Sequence, residues 1–246
     1  MIKTFDNKEW ELDDIVPKMY GDDFYYNYLG KNALSSSSFK AILNDLPKFL
    51  ESLTGQAEEN KSQALRDGKL IHLKVLEPER MQDLTIIDST KGSKLYKDAV
   101  LRLSSDEVYT QRELNRCMPL ADNVRKDFDA YCLMDEATME TPTIKMVQGL
   151  PVRGKADILR KDENHIIDLK TTSDSSRFEM SIENYGYDLQ GALYLHLFDC
   201  ARFSFIILDK ITGSVTTREL TKKELKNGQA KLQEAIDIFK RNTKAE

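Results

Sequence analysis

Nowhere in the 246 residues does an apolar run approach the roughly 18 to 20 residues that a membrane span requires. The opening "MIKTFDNKEW" lacks the apolar stretch of a secretory signal, so a cytosolic protein without a membrane partner is expected. Cysteine is scarce: Cys117, Cys132 and Cys200 are odd in number, widely spaced and outside any C-x-x-C pattern. That excludes a disulfide framework and gives no zinc or iron-sulfur spacing, which leaves the three as small core residues. No Pro/Gly/Ser-rich linker, internal repeat or low-complexity segment divides the chain. With 40% hydrophobic residues it is read as one domain over 1–246 with a substantial core.

Positive charge is not in excess. The formal net charge of −5 argues against a general polyanion binder. Residues 210–245 differ: Lys210, Arg218, Lys222, Lys223, Lys226, Lys231, Lys240, Arg241 and Lys244 stand against Glu219, Glu224, Glu234 and Asp237. A basic stretch on an acidic body can track phosphates or simply form a solvated helix face.

The periodicity predicts a helical part over about 1–135, a sheet core over about 136–210 and a basic strand and helix over about 211–246. "LSSSSFKAILNDLPKFLESL" offers serine N-caps, with Pro47 starting a second short helix. "SQALRDGKLIHLKVLEP" reads as a helix ended by Pro78, with His72 sharing a face with Leu65, Gly68 and Leu76. A T-x-x-E capping box at Thr110 and Glu113 opens a further helix that Pro119 should kink or divide. Then the period changes to two. "ATMETPTIKMV", "LPVRGKADILR" and "HIIDLKTT" read as successive strands, followed by a helix around "DLQGALYLHLF" and the strands "RFSFIILDK" and "SVTTREL". A last helix opens with the box Thr221/Glu224 and carries an apolar stripe of Leu225, Leu232, Ile236 and Phe239.

In "HIIDLKTT", Asp168 and Lys170 lie two residues apart and so share one strand face. If "KDEN" is the turn before it, Arg160 pairs with His165, Asp157 falls opposite Asp168, and Lys155 faces Lys170. Like charges directly opposite destabilise a sheet unless something binds between them, and a divalent cation is the simplest candidate. A different turn length would dissolve this register and leave a wet hairpin. Gln190 and Tyr194, spaced i and i+4, share a helix face, and Gly68 removes a side chain one turn before His72.

The ordered set His72, Glu140, Asp157, Asp168-Leu-Lys170 and Gln190-x-x-x-Tyr194, with the segments "SSSSFKAIL", "GKLIHLKVLEPERM" and "YGYDLQGALYL", resembles the PD-(D/E)XK nuclease superfamily. Within it the chain is most similar to the RecB-like branch and its phage RecE (exonuclease VIII) type, over roughly residues 34–200. The resemblance implies an α/β (α+β) restriction-endonuclease-like core, a mixed β-sheet flanked by helices, with a helical N-terminal part. It also implies a role for each residue. His72, Asp157, Asp168 and the carbonyl of Leu169 would hold Mg²⁺ or Mn²⁺, the imidazole suiting Mn²⁺ rather better. Lys170 would orient the attacking water and stabilise transition-state charge. Glu140 would serve a second cation or its water, and Gln190 and Tyr194 would position the active-site strands or the scissile backbone. Ser37, Ser38 and Lys40 resemble a segment that touches the DNA strand end, although simple N-capping explains the serines equally. Arg153 and Lys155 could hold phosphates or serve as ion-pair partners.

The activity so implied is a metal-dependent exonuclease degrading one strand of linear duplex DNA, 5′ to 3′, with DNA ends, a single-strand annealing recombination protein and a homo-oligomeric ring as partners. An endonuclease or an exonuclease of other polarity on the same core, and a non-catalytic DNA-binding module, are the alternatives. The complete ligand-and-lysine set counts against the module.

Overall fold

The computed structural model describes residues 1–55, 62–103 and 107–243; Lys244 of the basic tail lies outside them. A small hairpin of β1 (Ile2–Lys3) and β2 (Glu9–Trp10) opens the chain. It is followed by α1 (Leu12–Lys18), a π-helical segment over Asp23–Tyr28 and α2 (Leu29–Asn32). The serine run then caps α3 (Ser36–Thr54), where the Ser35 side chain accepts the Ser38 amide N–H. Asp45 leaves helical geometry at φ −161 and accepts the Lys48 N–H, so Pro47 restarts the helix as its fixed φ and missing donor favour.

Next come α4 (Gln63–Leu76), stopped before Pro78, then β3 (Thr85–Ile87), α5 (Lys94–Arg102) and β4 (Val108–Thr110). The Thr110/Glu113 box opens α6 (Gln111–Lys126), and α7 (Phe128–Met134) follows. Pro119 does not divide α6. Both Pro119 and Asn115, whose carbonyl it leaves without a helical donor, are exposed, so the freed acceptor is open to solvent. The cysteines also depart from the expectation: Cys117 is buried, but Cys200 is half-buried and Cys132 exposed. Leu65, predicted on the face of His72, is exposed at the first turn of α4, whereas Leu76 is in the core.

The period-two stretches form a five-stranded sheet in sequence order, β5 (Thr138–Val147), β6 (Leu150–Arg160), β7 (His165–Thr172), β8 (Arg202–Asp209) and β9 (Val215–Glu219). All neighbours are antiparallel except β7 and β8, which are parallel and joined through α8 (Phe178–Asn184) and α9 (Tyr187–Phe198). The last helix is α10 (Lys222–Thr243). Its box is present, with Thr221 and Glu224 bonded reciprocally, and its stripe buries Leu232, Ile236 and Phe239.

Helices cover both faces of the sheet. On one, α3, α9 and α10 enclose a core with Val152, Ala156, Ile166, Phe203 and Phe205. On the other, α4 and α6 pack with Ile158, Ile167, Leu169, Ile206 and Leu208. The N-terminal segment adds a third cluster around Trp10, Ile15, Tyr25 and Ile144. Gly228 lets α10 approach α9 at backbone distance, since a Cβ there would stand 2.1 Å from the carbonyl oxygen of Asp188.

The strand β6 does not alternate uniformly. Val152 and Ala156 pack with α9, yet beyond Asp157 it is Leu159 that joins this layer and Ile158 that crosses to the other. The phase of the two-residue repeat therefore slips at Asp157. On β5 the residue between the paired Met139 and Thr141 is Glu140, held at φ 47 in the left-handed region that non-glycine residues rarely occupy. Among the described residues no helix is long and apolar enough to cross a membrane.

Candidate active site

The β6–β7 ladder begins at Arg160 and His165, continues through Leu159–Ile166 and Ile158–Ile167, and ends there. This is the register read from "KDEN", closed by a short 3-10 turn and Asn164 at φ 51. Where β6 leaves β7, the backbone of Leu169 turns to side chains. Its N–H donates to Asp157 Oδ2 at 2.9 Å, and its carbonyl faces the His72 imidazole. Lys155 consequently does not face Lys170; the phase slip at Asp157 carries it to the N-terminal segment.

Two groups of side chains flank this gap. On the α9 side, Asp168 is buried at 2% exposure. Gln190 Nε2 donates to its Oδ1 at 2.7 Å, and Lys170 Nζ stands 2.7 Å from its Oδ2. Burial alone would lower the Lys170 pKa, but Asp168 and Asp157 reverse this and hold the ammonium charged above its usual range. The Tyr187 ring lies 5.0 Å from Lys170 Nζ and 5.5 Å from Lys40 Nζ. Burial, together with Lys170, brings the Lys40 pKa down to about 8.

On the α4 side, one ligand atom from each of His72, Glu140 and Asp157 lies within 4.8 Å of the others, and His72 Nδ1 is 3.7 Å from Asp157 Oδ2. Gly68 allows α4 this close to β7, since a Cβ there would come within 3.2 Å of Thr171 Oγ1. Burial, then Asp168 and Glu140, raises the Asp157 pKa well above the carboxylate range. Glu140 is pushed up to about 7 by burial, with Lys155 opposing and Glu77 reinforcing. Burial and the Lys170 charge bring His72 down to about 4, so its imidazole is neutral near pH 7 and able to ligate. Half-buried carboxylates that repel one another beside a neutral imidazole fit a hard divalent cation, whose charge would replace the protons this crowding favours.

The predicted set is thus regrouped. The close donor cluster contains Glu140, which was expected to serve a second cation, whereas Asp168 is already occupied by Gln190 and Lys170. Gln190 and Tyr194 are buried at 7% and 8%, so both are held within the fold. Tyr194 instead sits against the backbone of Lys155, and its ring packs 3.3 Å from where a Cβ at Gly154 would stand.

Arg153 is 7% exposed with its guanidinium 4.4 Å over the Tyr25 ring, and is covered against phosphates. Lys155 adopts the ion-pair alternative, 3.6 Å from both Glu140 Oε2 and Asp22 Oδ1. Ser37 is exposed and Ser38 half-buried; both hydroxyls bond Ser35 Oγ at the start of α3. In the basic tail, Arg218 is paired with Glu179 and Glu224, and Lys231 with Asp188.

Sequence reasoning missed Asp22, Tyr25 and Tyr26, which the π-helical segment brings to Lys155. Nothing in that stretch's periodicity signals it. Tyr187 was visible only as part of "YGYDLQ".

Among curated proteins, none matches the sequence. Among solved structures, a provisionally described exonuclease from Eubacterium rectale superposes with TM-score 0.67 at 16% identity, covering 89% of this chain and 85% of that one, which shows a shared fold. A phage related exonuclease from Haemophilus somnus 129PT aligns at TM-score 0.37 and 14% identity, over 85% of this chain and 94% of that one. A family model described as a PDDEXK-like domain of unknown function matches residues 35–245. With the mixed sheet, the D-x-K doublet within its parallel pair and the acidic donor cluster beside it, the chain belongs to this PDDEXK-like family, DUF3799.

Proposed function

We propose that the protein is a metal-dependent exodeoxyribonuclease that hydrolyses one strand of linear duplex DNA from an end, 5′ to 3′. The observation that carries this reading is the convergence of His72, Glu140 and Asp157 beside a lysine already fixed on Asp168. A Mg²⁺ or Mn²⁺ ion held by His72, Asp157 and Glu140, with the Leu169 carbonyl adjacent, would acidify the attacking water and offset charge on the phosphate oxygens.

The residues divide the remaining work. Gln190 fixes Asp168, and Asp168 fixes the Lys170 ammonium, so a positive charge waits where the phosphorane oxygens develop theirs and pays no reorganisation during the reaction. Lys40, half-buried and near the same Tyr187 ring as Lys170, is assigned to the phosphate of a bound strand, with the Ser37 and Ser38 hydroxyls at the same helix start. The exposed Lys222, Lys223, Lys226 and Arg241 of α10 are assigned to the duplex, in a ring of subunits that passes its single-stranded product to an annealing protein.

Linear duplexes labelled separately at each 5′ and 3′ end, incubated with Mg²⁺ or Mn²⁺ beside a closed circle, test this. Progressive loss of the 5′ label with an intact circle is expected. Loss of the 3′ label first would reverse the polarity, cutting of the circle would favour an endonuclease, and binding without cleavage a DNA-binding module.

A further inference from the structure

Tyr26 is an exposed aromatic ring beside a charged, largely buried cluster, and the structure gives it no core to pack into. Its side chain belongs to the π-helical segment Asp23–Tyr28, a geometry that recurs at functional sites. The residue is 56% exposed, although its neighbour Tyr25 is buried at 5%. The two rings meet edge to face, with centroids 5.0 Å apart at 82°. Lys155 Nζ lies 5.0 Å from the Tyr25 ring and 5.3 Å from the Tyr26 ring, and the same ammonium is 3.6 Å from the Glu140 carboxylate. One lysine therefore ties the exposed ring to the donor cluster.

The segment that carries the ring is also anchored on both sides. Asp22, four residues earlier, accepts from Arg80 Nη2 at 2.6 Å and faces Lys155 at 3.6 Å. On the far side of the segment, Trp10, Phe24 and Tyr28 form a mutually packed aromatic group, with Phe24 and Tyr28 stacked at 4.9 Å. A flat face fixed before a ligand arrives loses little freedom on stacking. The segment precedes residues 35–245, so this ring is not supplied by the stretch that the family model matches.

We infer that Tyr26 is a stacking platform for a nucleobase of the strand whose phosphate lies at the His72–Glu140–Asp157 cluster. The inference rests on the nuclease reading of that cluster. Every base has a π-face, so a platform of this kind sets the position of the strand without selecting its sequence. A ring that merely covers Lys155 would behave differently, because its loss would be felt whether or not the substrate carries a base.

Tyr26→Phe keeps the face, and Tyr26→Leu keeps apolar bulk over Lys155 but removes the π-system. Cleavage by each is compared on an intact duplex and on one made abasic at the first three positions of the degraded strand. We expect Tyr26→Phe to match wild type, and Tyr26→Leu to be slowed about tenfold on the intact duplex and under twofold on the abasic one. Independently of cleavage, 2-aminopurine placed at each of those positions should be quenched on binding with Mg²⁺ in the Lys170→Ala background, and the added Tyr26→Leu should abolish the quench at one position. Equal slowing on both substrates, or a quench indifferent to the ring, overturns the platform while leaving the nuclease reading in place. A ring-dependent quench with no cleavage by wild type overturns the nuclease reading and keeps the platform. Failure of every variant to bind DNA overturns both.

Discussion

Asp168 and Asp157 lie on neighbouring strands, one position beyond the last pair of the same ladder, yet the fold treats them in opposite ways. Asp168 has a buried amide donor and an ammonium at 2.7 Å each, so the protein itself neutralises it. Asp157 receives one backbone N–H, from Leu169, and is otherwise crowded by Asp168, Glu140 and His72. The difference separates two tasks. The first carboxylate holds a lysine in position; on the proposed reading, the second is the one that a cation would complete.

Lys170→Ala should break the first side with the largest effect. Cleavage should fall by at least two orders of magnitude, about the scale of losing one preorganised electrostatic group, while DNA affinity measured by anisotropy stays near wild type. The same variant leaves Asp168 buried without its cation, so its Tm should also drop.

Exchanging each aspartate for asparagine sharpens the contrast in sign. Without metal, Asp168→Asn should lose about 2 kcal/mol in urea unfolding, because Lys170 is left beside a neutral amide and Gln190 Nε2 loses its charged acceptor. Asp157→Asn should instead gain about 1 kcal/mol by removing like-charge crowding. Equal changes would show that the two carboxylates are not distinguished.

How much of this could be read beforehand follows from the range of each interaction. The β6–β7 register was legible because Arg160 and His165 bracket a short turn and apolar alternation runs along both arms. Gln190 was legible as a partner of the active-site strands only through the family resemblance, since its i, i+4 spacing from Tyr194 gives no more than a shared helix face. Glu140 was placed on the right strand, but its φ of 47 left no trace in the side-chain pattern, and that turn brings its carboxylate into the donor cluster. The roles of Arg153 and Lys155 were hidden for another reason: their partners, Tyr25, Tyr26 and Asp22, come from more than a hundred residues earlier in an irregular segment without periodicity.

Glu140 yields a pH prediction. Its ordinary pKa is 4.5 and its folded value about 7. Below the lower value both states are protonated and the site costs nothing. As pH rises the unfolded chain ionises first, so metal-free stability should fall between about 4.5 and 7 and stay low above that. Relative to Glu140→Gln, wild type should lose up to about 3 kcal/mol across this window, read from urea unfolding in EDTA. Parallel pH profiles would remove Glu140 from the crowded group. The smallest effect expected is from Glu140→Gly, which relieves the left-handed backbone and should raise the metal-free Tm by a few degrees, about 1 kcal/mol, while weakening cation binding.

The central claim, that a cation completes the Asp157 side and not the Asp168 side alone, is tested most directly by thermal unfolding with Mn²⁺. A metal that binds only the folded protein stabilises it by about 2.7 kcal/mol at 100 times its dissociation constant. Wild type should show a shift of that order, Asp157→Asn almost none, and Lys170→Ala the full shift despite its lost cleavage. An undiminished Mn²⁺ shift in Asp157→Asn would contradict the account, because the cation would then be bound elsewhere.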